Sequence, residues 1–129
     1  GCAAAVATIG EYKNLDIENK MKPTSKLLAD ILDGYVESHP CVGQVRHIGL
    51  FSAIELVKDK ATREPLVPYG RDPEGIMKKI LGMLVAEGFW TYDHENMLIV
   101  APPLIITEEE LKEQMAIMDK VLDSVDKMI

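Results

Sequence analysis

The stretch from Asn96 to Leu111, NMLIVAPPLIITEEEL, leaves this chain few choices. Met97-Leu98-Ile99-Val100 is a short run of large apolar residues and reads as a strand. Pro102-Pro103 removes two backbone donors and fixes two φ angles, so no regular element continues through it. Thr107 with Glu110 forms a capping box. The hydroxyl accepts from the N–H of Glu110, whose carboxylate reaches back to the N–H of Thr107. Glu108 and Glu109 add negative charge at the positive end of the helix dipole. Helix capping thus accounts for the carboxylate cluster Glu108-Glu109-Glu110. The last helix then carries Leu111, Met115, Met118, Leu122, Val125 and Ile129 at alternating spacings of four and three, one apolar stripe.

The remaining elements follow from the same kinds of signal. Residues 2–15 read as a helix with Cys2, Val6, Ile9 and Tyr12 or Lys13 on one face. A second helix is predicted to start at Asn19 as N-cap, which places Pro23 in the first turn. Its stripe is Leu27, Leu28, Ile31, Leu32 and Tyr35, and His39-Pro40 stops it. Residues 45–57 read as extended with a break at Gly49, and Ile48, Leu50, Ile54 and Leu56 are the expected inward positions. Lys58 to Glu64 is a charged hairpin-like turn, and Pro65, Pro68, Tyr69 and Gly70 mark an irregular loop. Asp72-Pro73 predicts an N-cap with proline at the first helical position, and the helix ends at Gly88 in a left-handed C-cap. Ile76, Ile80, Met83 and Leu84 form its stripe. Strands are expected at 89–92 and 97–100. The order α-α-β-β-α-β-β-α predicts an α+β fold, a small, mainly antiparallel sheet packed against helices.

At 129 residues the chain is one domain's worth of sequence. Net charge −7 and a pI near 4.9 argue against nucleic acid and anionic membrane surfaces as partners. The three arginines, Arg46, Arg63 and Arg71, are scattered. Two widely spaced cysteines, Cys2 and Cys41, with no signal-peptide pattern, read as buried thiols of a cytoplasmic protein. The three histidines and two cysteines have no metal-ligand spacing, so no metal site is expected. Opening inside an apolar helical pattern suits a piece of something longer.

Several runs, in order along the chain, resemble one family. Cys2-Ala3-Ala4-Ala5, Glu18-Asn19, His39-Pro40 with Val42-Gly43-Gln44-Val45-Arg46, Gly49-Leu50 with Ile54-Glu55-Leu56-Val57-Lys58-Asp59, Ala86-Glu87-Gly88, and the APPL to EEEL run are similar to the C-terminal part of the class III (ornithine/ω-amino-acid) pyridoxal-phosphate (PLP) aminotransferases. The wording is most similar to ω-amino-acid or taurine:pyruvate members. The resemblance implies that residues 1–129 are one domain, the small C-terminal domain of a longer enzyme. It further implies a cofactor lysine and its neighbouring aspartate in an absent large domain, no catalytic residue in this chain, and no PLP bound to it alone. None of the eleven lysines here lies in an apolar setting that would lower its pKa. Partners implied are the large domain, a small amino donor, a keto acid such as pyruvate, and a second copy in a homodimer.

The resemblance also directs attention to substrate residues. Many relatives fork an arginine onto the substrate carboxylate, either at the position of Ile99 or in the turn near Tyr92 to His94. This chain has no arginine after Arg71. Either the carboxylate is bound from elsewhere, or the donor is an amine, ω-amino acid or sulfonate handled differently. Tyr92, His94, Asn96 and Ile99 are the candidate lining residues, with Trp90 as a wall. The competing reading makes Tyr92 to Asn96 only a solvated hairpin turn. His47 is expected packed or at a sheet edge, Arg46 paired with an acidic neighbour or a helix end, and His39 a cation at a helix C-terminus. The functional alternatives are a free-standing α+β ligand-binding or regulatory module, and an interaction domain that self-associates through the apolar face of its first helix.

Overall fold

The computed structural model describes residues 1–129. Its elements are α1 (Cys2–Asn14), α2 (Ile17–Ser38), β1 (Val42–Ile48), β2 (Phe51–Asp59), β3 (Glu64–Pro65), α3 (Ile76–Ala86), β4 (Asp93–His94), β5 (Met97–Val100) and α4 (Glu108–Val125). The fold is α+β, as the element order predicts. An antiparallel sheet in the order β1-β2-β5-β4 carries helices on one face, and β3 pairs with the far end of β2. The two-residue β3 lies where an irregular loop was expected.

β2 organises the molecule because both long pairings use it. Gly49 supplies the positive φ, 60°, required at the first position of the two-residue β1–β2 turn. The register sets Val45 opposite Ile54 and Ile54 opposite Leu98. Side chains opposite one another share a face, so these three, with Ser52, Leu56 and Val100, point at the helices. The other face carries two rows, Gln44–Glu55–Met97–His94 and Arg46–Ala53–Ile99. Ile48 pairs with Phe51 on that second face and is 78% exposed, so its expected inward orientation is corrected. A period of two cannot carry Ile48 and Ile54 to the same side together with the turn between them.

The core lies between the sheet and α2, α3 and α4. α4 contributes Leu111, Met115, Met118, Val121, Leu122 and Val125, all buried. Burying side chains of this size contributes roughly 1.5–3 kcal/mol each. Its capping box is present, with the N–H of Glu110 donating to Thr107 and the N–H of Thr107 donating to Glu110. Ile129 falls beyond the helix end and is exposed, so the stripe ends one position earlier than predicted.

Several boundaries differ from expectation, and the extended segment expected at 45–57 begins at Val42 and runs to Asp59. α2 starts at Ile17, not after Asn19; Asp16 turns the chain through a left-handed residue (φ 49°) and Ile17 is buried. Pro23 therefore stands inside the helix, on its exposed side, where the carbonyl of Asn19 that loses its partner faces water. α3 starts at Ile76 instead of Pro73. The carboxylate of Asp72 still receives the first helical N–H groups, from Ile76 at 2.7 Å and Met77 at 3.0 Å, across an intervening turn. Residues 89–92 do not form a strand. α3 closes in a Schellman motif, with the N–H of Phe89 on Leu84 O at 2.9 Å, the N–H of Gly88 on Val85 O at 3.0 Å, and Gly88 at φ 88°. Phe89 is thereby drawn into the core, and the ladder begins only at Asp93.

α1 is helical, as predicted, yet none of its residues is buried. Val6, Ile9, Tyr12 and Leu15 are exposed, and so is Cys2, which corrects its reading as a buried thiol; Cys41 is buried. No helix is long and apolar enough to cross a membrane.

Candidate functional site

The helix-free face of the sheet brings together the residues named from sequence. Ile99 sits on β5 in the row Arg46–Ala53–Ile99, and its N–H donates to the carbonyl of Tyr92 at 3.1 Å. The Thr91 hydroxyl donates to the carbonyl of Ile99. These bonds hold the segment after Gly88 against β5 although it makes no regular ladder there. His94 stands opposite Met97 in the next row. Tyr92, two residues before His94 along the extended chain, shares its face. Tyr92 is 50% exposed, His94 is exposed, and Ile99 is only 7% exposed.

Asn96 is placed differently. Its side-chain amide donates to the carbonyl of Leu56 at 2.9 Å, and its own carbonyl accepts from the N–H of Leu56 at 2.8 Å. Glu95, in the left-handed conformation at φ 57°, accepts from the N–H of Gly70 at 2.6 Å. The β4–β5 turn is therefore fastened to β2 and to the loop before α3, and Asn96 is occupied in holding it. Asn96 thus belongs to the turn, but half-buried and bonded to β2 instead of solvated.

Beside this face, between residues 89–91, the end of β5, the double proline and α4, lies a mostly apolar cleft of about 370 Å³. Trp90, 80% exposed, stands at its edge with Thr91, and Gln114 is the polar residue that α4 contributes. Arg46 projects on the same sheet face as Ile99 and places a guanidinium nitrogen 2.6 Å from Glu55 Oε2. It thus pairs with an acidic neighbour, as expected. His47 points to the opposite face, exposed, with Nε2 3.5 Å from Asp33 of α2.

A second polar cluster escaped the sequence reading. His39 is 3% exposed, with Nδ1 2.7 Å from Asp126 Oδ2 and Nε2 3.0 Å from Asp119 Oδ1. Asp123 Oδ1 lies 3.9 Å from Nδ1. The other oxygen of Asp126 accepts from the N–H of Cys41 at 2.8 Å. His39 stands at the C-terminal end of α2, as expected, but buried, and it is the clasp that ties the α2–β1 corner to the end of α4. The spacing Asp119, Asp123, Asp126 (four, then three) sets three carboxylates on one helix face and was the available signal. Burial alone would push the imidazole pKa down, but the bonds and charges of Asp126 and Asp119 outweigh it and the net direction is up. Both ring nitrogens facing carboxylate oxygens is the arrangement of an imidazolium. Burial pushes the thiol of Cys41 up, away from reactivity.

Comparison with known proteins places these features in a family. The model of the family Aminotransferase class-III matches residues 1–122. The chain is 37% identical to taurine–pyruvate aminotransferase of Bilophila wadsworthia over 98% of its own length and 28% of that protein's. It is 31% identical to adenosylmethionine-8-amino-7-oxononanoate aminotransferase of Geobacter sulfurreducens over its whole length and 26% of that protein's. The solved structure of taurine:2-oxoglutarate aminotransferase from Bifidobacterium kashiwanohense, in complex with PLP and glutamate, superposes with a TM-score of 0.92 at 42% identity, covering 98% of this chain and 28% of that one. The chain thus spans little more than a quarter of the relatives it matches. In sequence and in fold, it belongs to the class III aminotransferase family.

Proposed function

We propose that residues 1–129 are the small C-terminal domain of a longer PLP-dependent aminotransferase, covering the substrate side of its active site. The whole enzyme would move an amino group from an amine or ω-amino acid, of the taurine kind, to a keto acid such as pyruvate. The observation that carries this reading is the match to transaminases along nearly the entire chain. The exposed apolar residues of α1, Val6, Ile9 and Tyr12, are a surface for the large domain of the same polypeptide. A homodimer in the cytoplasm is part of the same proposal.

The residues present do not fit the cofactor-bearing role. All eleven lysines are exposed, and none is lodged in a desolvated pocket where a primary amine becomes a nucleophile at neutral pH. PLP would be held by residues outside this chain. What this chain would supply is recognition: Tyr92 and His94 as polar contacts, and Ile99 as an apolar wall where many relatives carry an arginine. Without that fork on β5, an α-carboxylate has no bidentate partner there, which favours donors that lack one.

The test is amino transfer by the full-length polypeptide loaded with PLP, read as alanine formed from pyruvate. Taurine, β-alanine and a simple primary amine would serve as donors. Turnover with at least one of them supports the reading; no turnover with any donor or keto acid refutes it. Tyr92→Phe and His94→Ala would then raise KM with little change in a substrate-independent property such as cofactor content.

A further inference from the structure

We propose that His39, Asp123 and Asp126 form a binding site for a divalent transition-metal cation of the zinc type, which bridges the α2–β1 corner and the end of α4. The site lies among the helices and is independent of whatever the open sheet face recognises. The chain shows no metal-ligand spacing because the histidine is far in sequence from the aspartates. The fold assembles them. His39 Nδ1 is 2.7 Å from Asp126 Oδ2 and 3.9 Å from Asp123 Oδ1. Ligand atoms of the three residues, one from each, all lie within 4.8 Å of one another.

Charge and ligand chemistry both favour a cation here. Asp119, Asp123 and Asp126 form ion pairs with His39 alone, and Lys120 of the same helix is paired with Glu87. Even with the imidazole protonated, negative charge is in excess. One imidazole nitrogen with two carboxylate oxygens suits zinc, whose bonds of about 2.0–2.2 Å set neighbouring ligand atoms roughly 3–3.5 Å apart. Movements of less than about 1 Å reach that geometry: Asp126 retreats slightly from Nδ1, and the exposed Asp123 swings toward it. The cation then takes the place between Nδ1 and Asp126, and the proton shared there leaves to water. On the far side of the ring, Nε2 faces Asp119 Oδ1 at 3.0 Å, the carboxylate–histidine arrangement that aims an imidazole at a metal. The second oxygen of Asp126 is held by the N–H of Cys41 at 2.8 Å. Solvent on the side of Asp123 supplies the remaining ligands.

The experiment titrates the full-length polypeptide with Zn²⁺ by calorimetry and follows its thermal midpoint, in the parent and in Asp123→Ala, His39→Gln and Glu113→Ala. Binding of one Zn²⁺ is expected to weaken at least about tenfold in Asp123→Ala and His39→Gln. Glu113, an exposed carboxylate of α4 outside the cluster, is the control, and its variant is expected to bind as the parent does. Saturating Zn²⁺ should raise the midpoint of the parent by several degrees and leave that of Asp123→Ala where it was. Asp123 stands 3.9 Å from the ring, so its variant keeps the metal-free clasp and decides the matter even if His39→Gln does not fold. Mg²⁺, which takes oxygen ligands, tests for a merely acidic surface and is expected to shift nothing. No Zn²⁺ bound by the parent, undiminished binding in Asp123→Ala, an equal loss in Glu113→Ala, or an equal response to Mg²⁺ overturns the assignment.

Discussion

His39 Nδ1 lies 2.7 Å from an oxygen of Asp126, a residue 87 positions later in the chain. That contact closes the fold, because it locks the end of α4 onto the corner between α2 and β1. Two ionisation states have to coincide for it. The folded pKa of His39 is raised above 6.5, so its contribution is complete below the unfolded value and is lost as pH rises through the folded one. For Asp126, burial pushes the carboxyl up, but the hydrogen bonds from Cys41 and His39 outweigh it and the net direction is down from 3.8. Its contribution is present above the unfolded value and fades as pH falls through the folded one. The clasp is thus strongest between about pH 4 and 6.5. His39→Ala is expected to cost about 2–4 kcal/mol in that window, and the gap to the parent narrows toward pH 9. Urea unfolding at pH 6 and pH 9 measures it; a gap independent of pH would mean that His39 acts by packing alone.

Gly43 has no room for a side chain. A Cβ there would stand 2.5 Å from Val57 Cγ1. Gly43→Ala is expected to destabilise by about 1–3 kcal/mol. The double variant with Val57→Ala should lose less than the sum of the two single changes, a coupling that a double-mutant cycle by chemical denaturation detects.

The capping box at the start of α4 is exposed, so its worth is local. Thr107→Ala should cost about 1 kcal/mol, and Thr107→Ser close to nothing. Hydrogen bonds from the backbone N–H and the hydroxyl of Thr107 hold the Glu110 carboxyl below its ordinary range. The difference between parent and Thr107→Ala is therefore present above the unfolded carboxyl pKa and shrinks as the solution is acidified. Thermal midpoints at pH 7 and pH 3 check this.

Met118 is completely buried in the centre of the α4 stripe. Met118→Ala removes its packing within the core and leaves a cavity, an expected loss of about 2–5 kcal/mol. Exposed Lys112→Ala on the same helix is the control, expected within about 0.5 kcal/mol of the parent.

Ile99→Arg in the full-length enzyme tests the substrate face from the other direction. A guanidinium at that position supplies the bidentate carboxylate partner that the proposed recognition face lacks. The expected outcome is a shift of at least about tenfold in kcat/KM toward donors with an α-carboxylate relative to uncharged amines. Unchanged donor preference would place Ile99 away from the substrate.

Much of this fold was legible because its signals are local. Thr107 and Glu110 announce α4 within four residues, and Met97 to Val100 is apolar enough to stand as β5. The boundaries that depart from the local signals have a tertiary cause. Ile17 is buried against the body of the domain, which draws α2 back past Asn19 and leaves Pro23 inside the helix. Phe89 is drawn inward by the Schellman closure, which delays β4 until Asp93. The site divides in the same way. Tyr92, His94 and Ile99 lie within eight residues of one another, and local reading could group them. Arg46 joins their face only through the pairing of β1 with β2 and β2 with β5. His39 meets Asp119 and Asp126 only through packing of distant helices. Neither relationship exists at the level of sequence spacing.

The most direct test of the account is where PLP attaches. The chain of residues 1–129 and the full-length polypeptide are each incubated with the cofactor, reduced with borohydride and weighed intact. One reduced pyridoxyl group is expected on the full-length protein, on a lysine outside these residues, and no stoichiometric adduct on residues 1–129. A single full-occupancy adduct on one of Lys13 to Lys127 would contradict it, because this domain would then hold the cofactor itself.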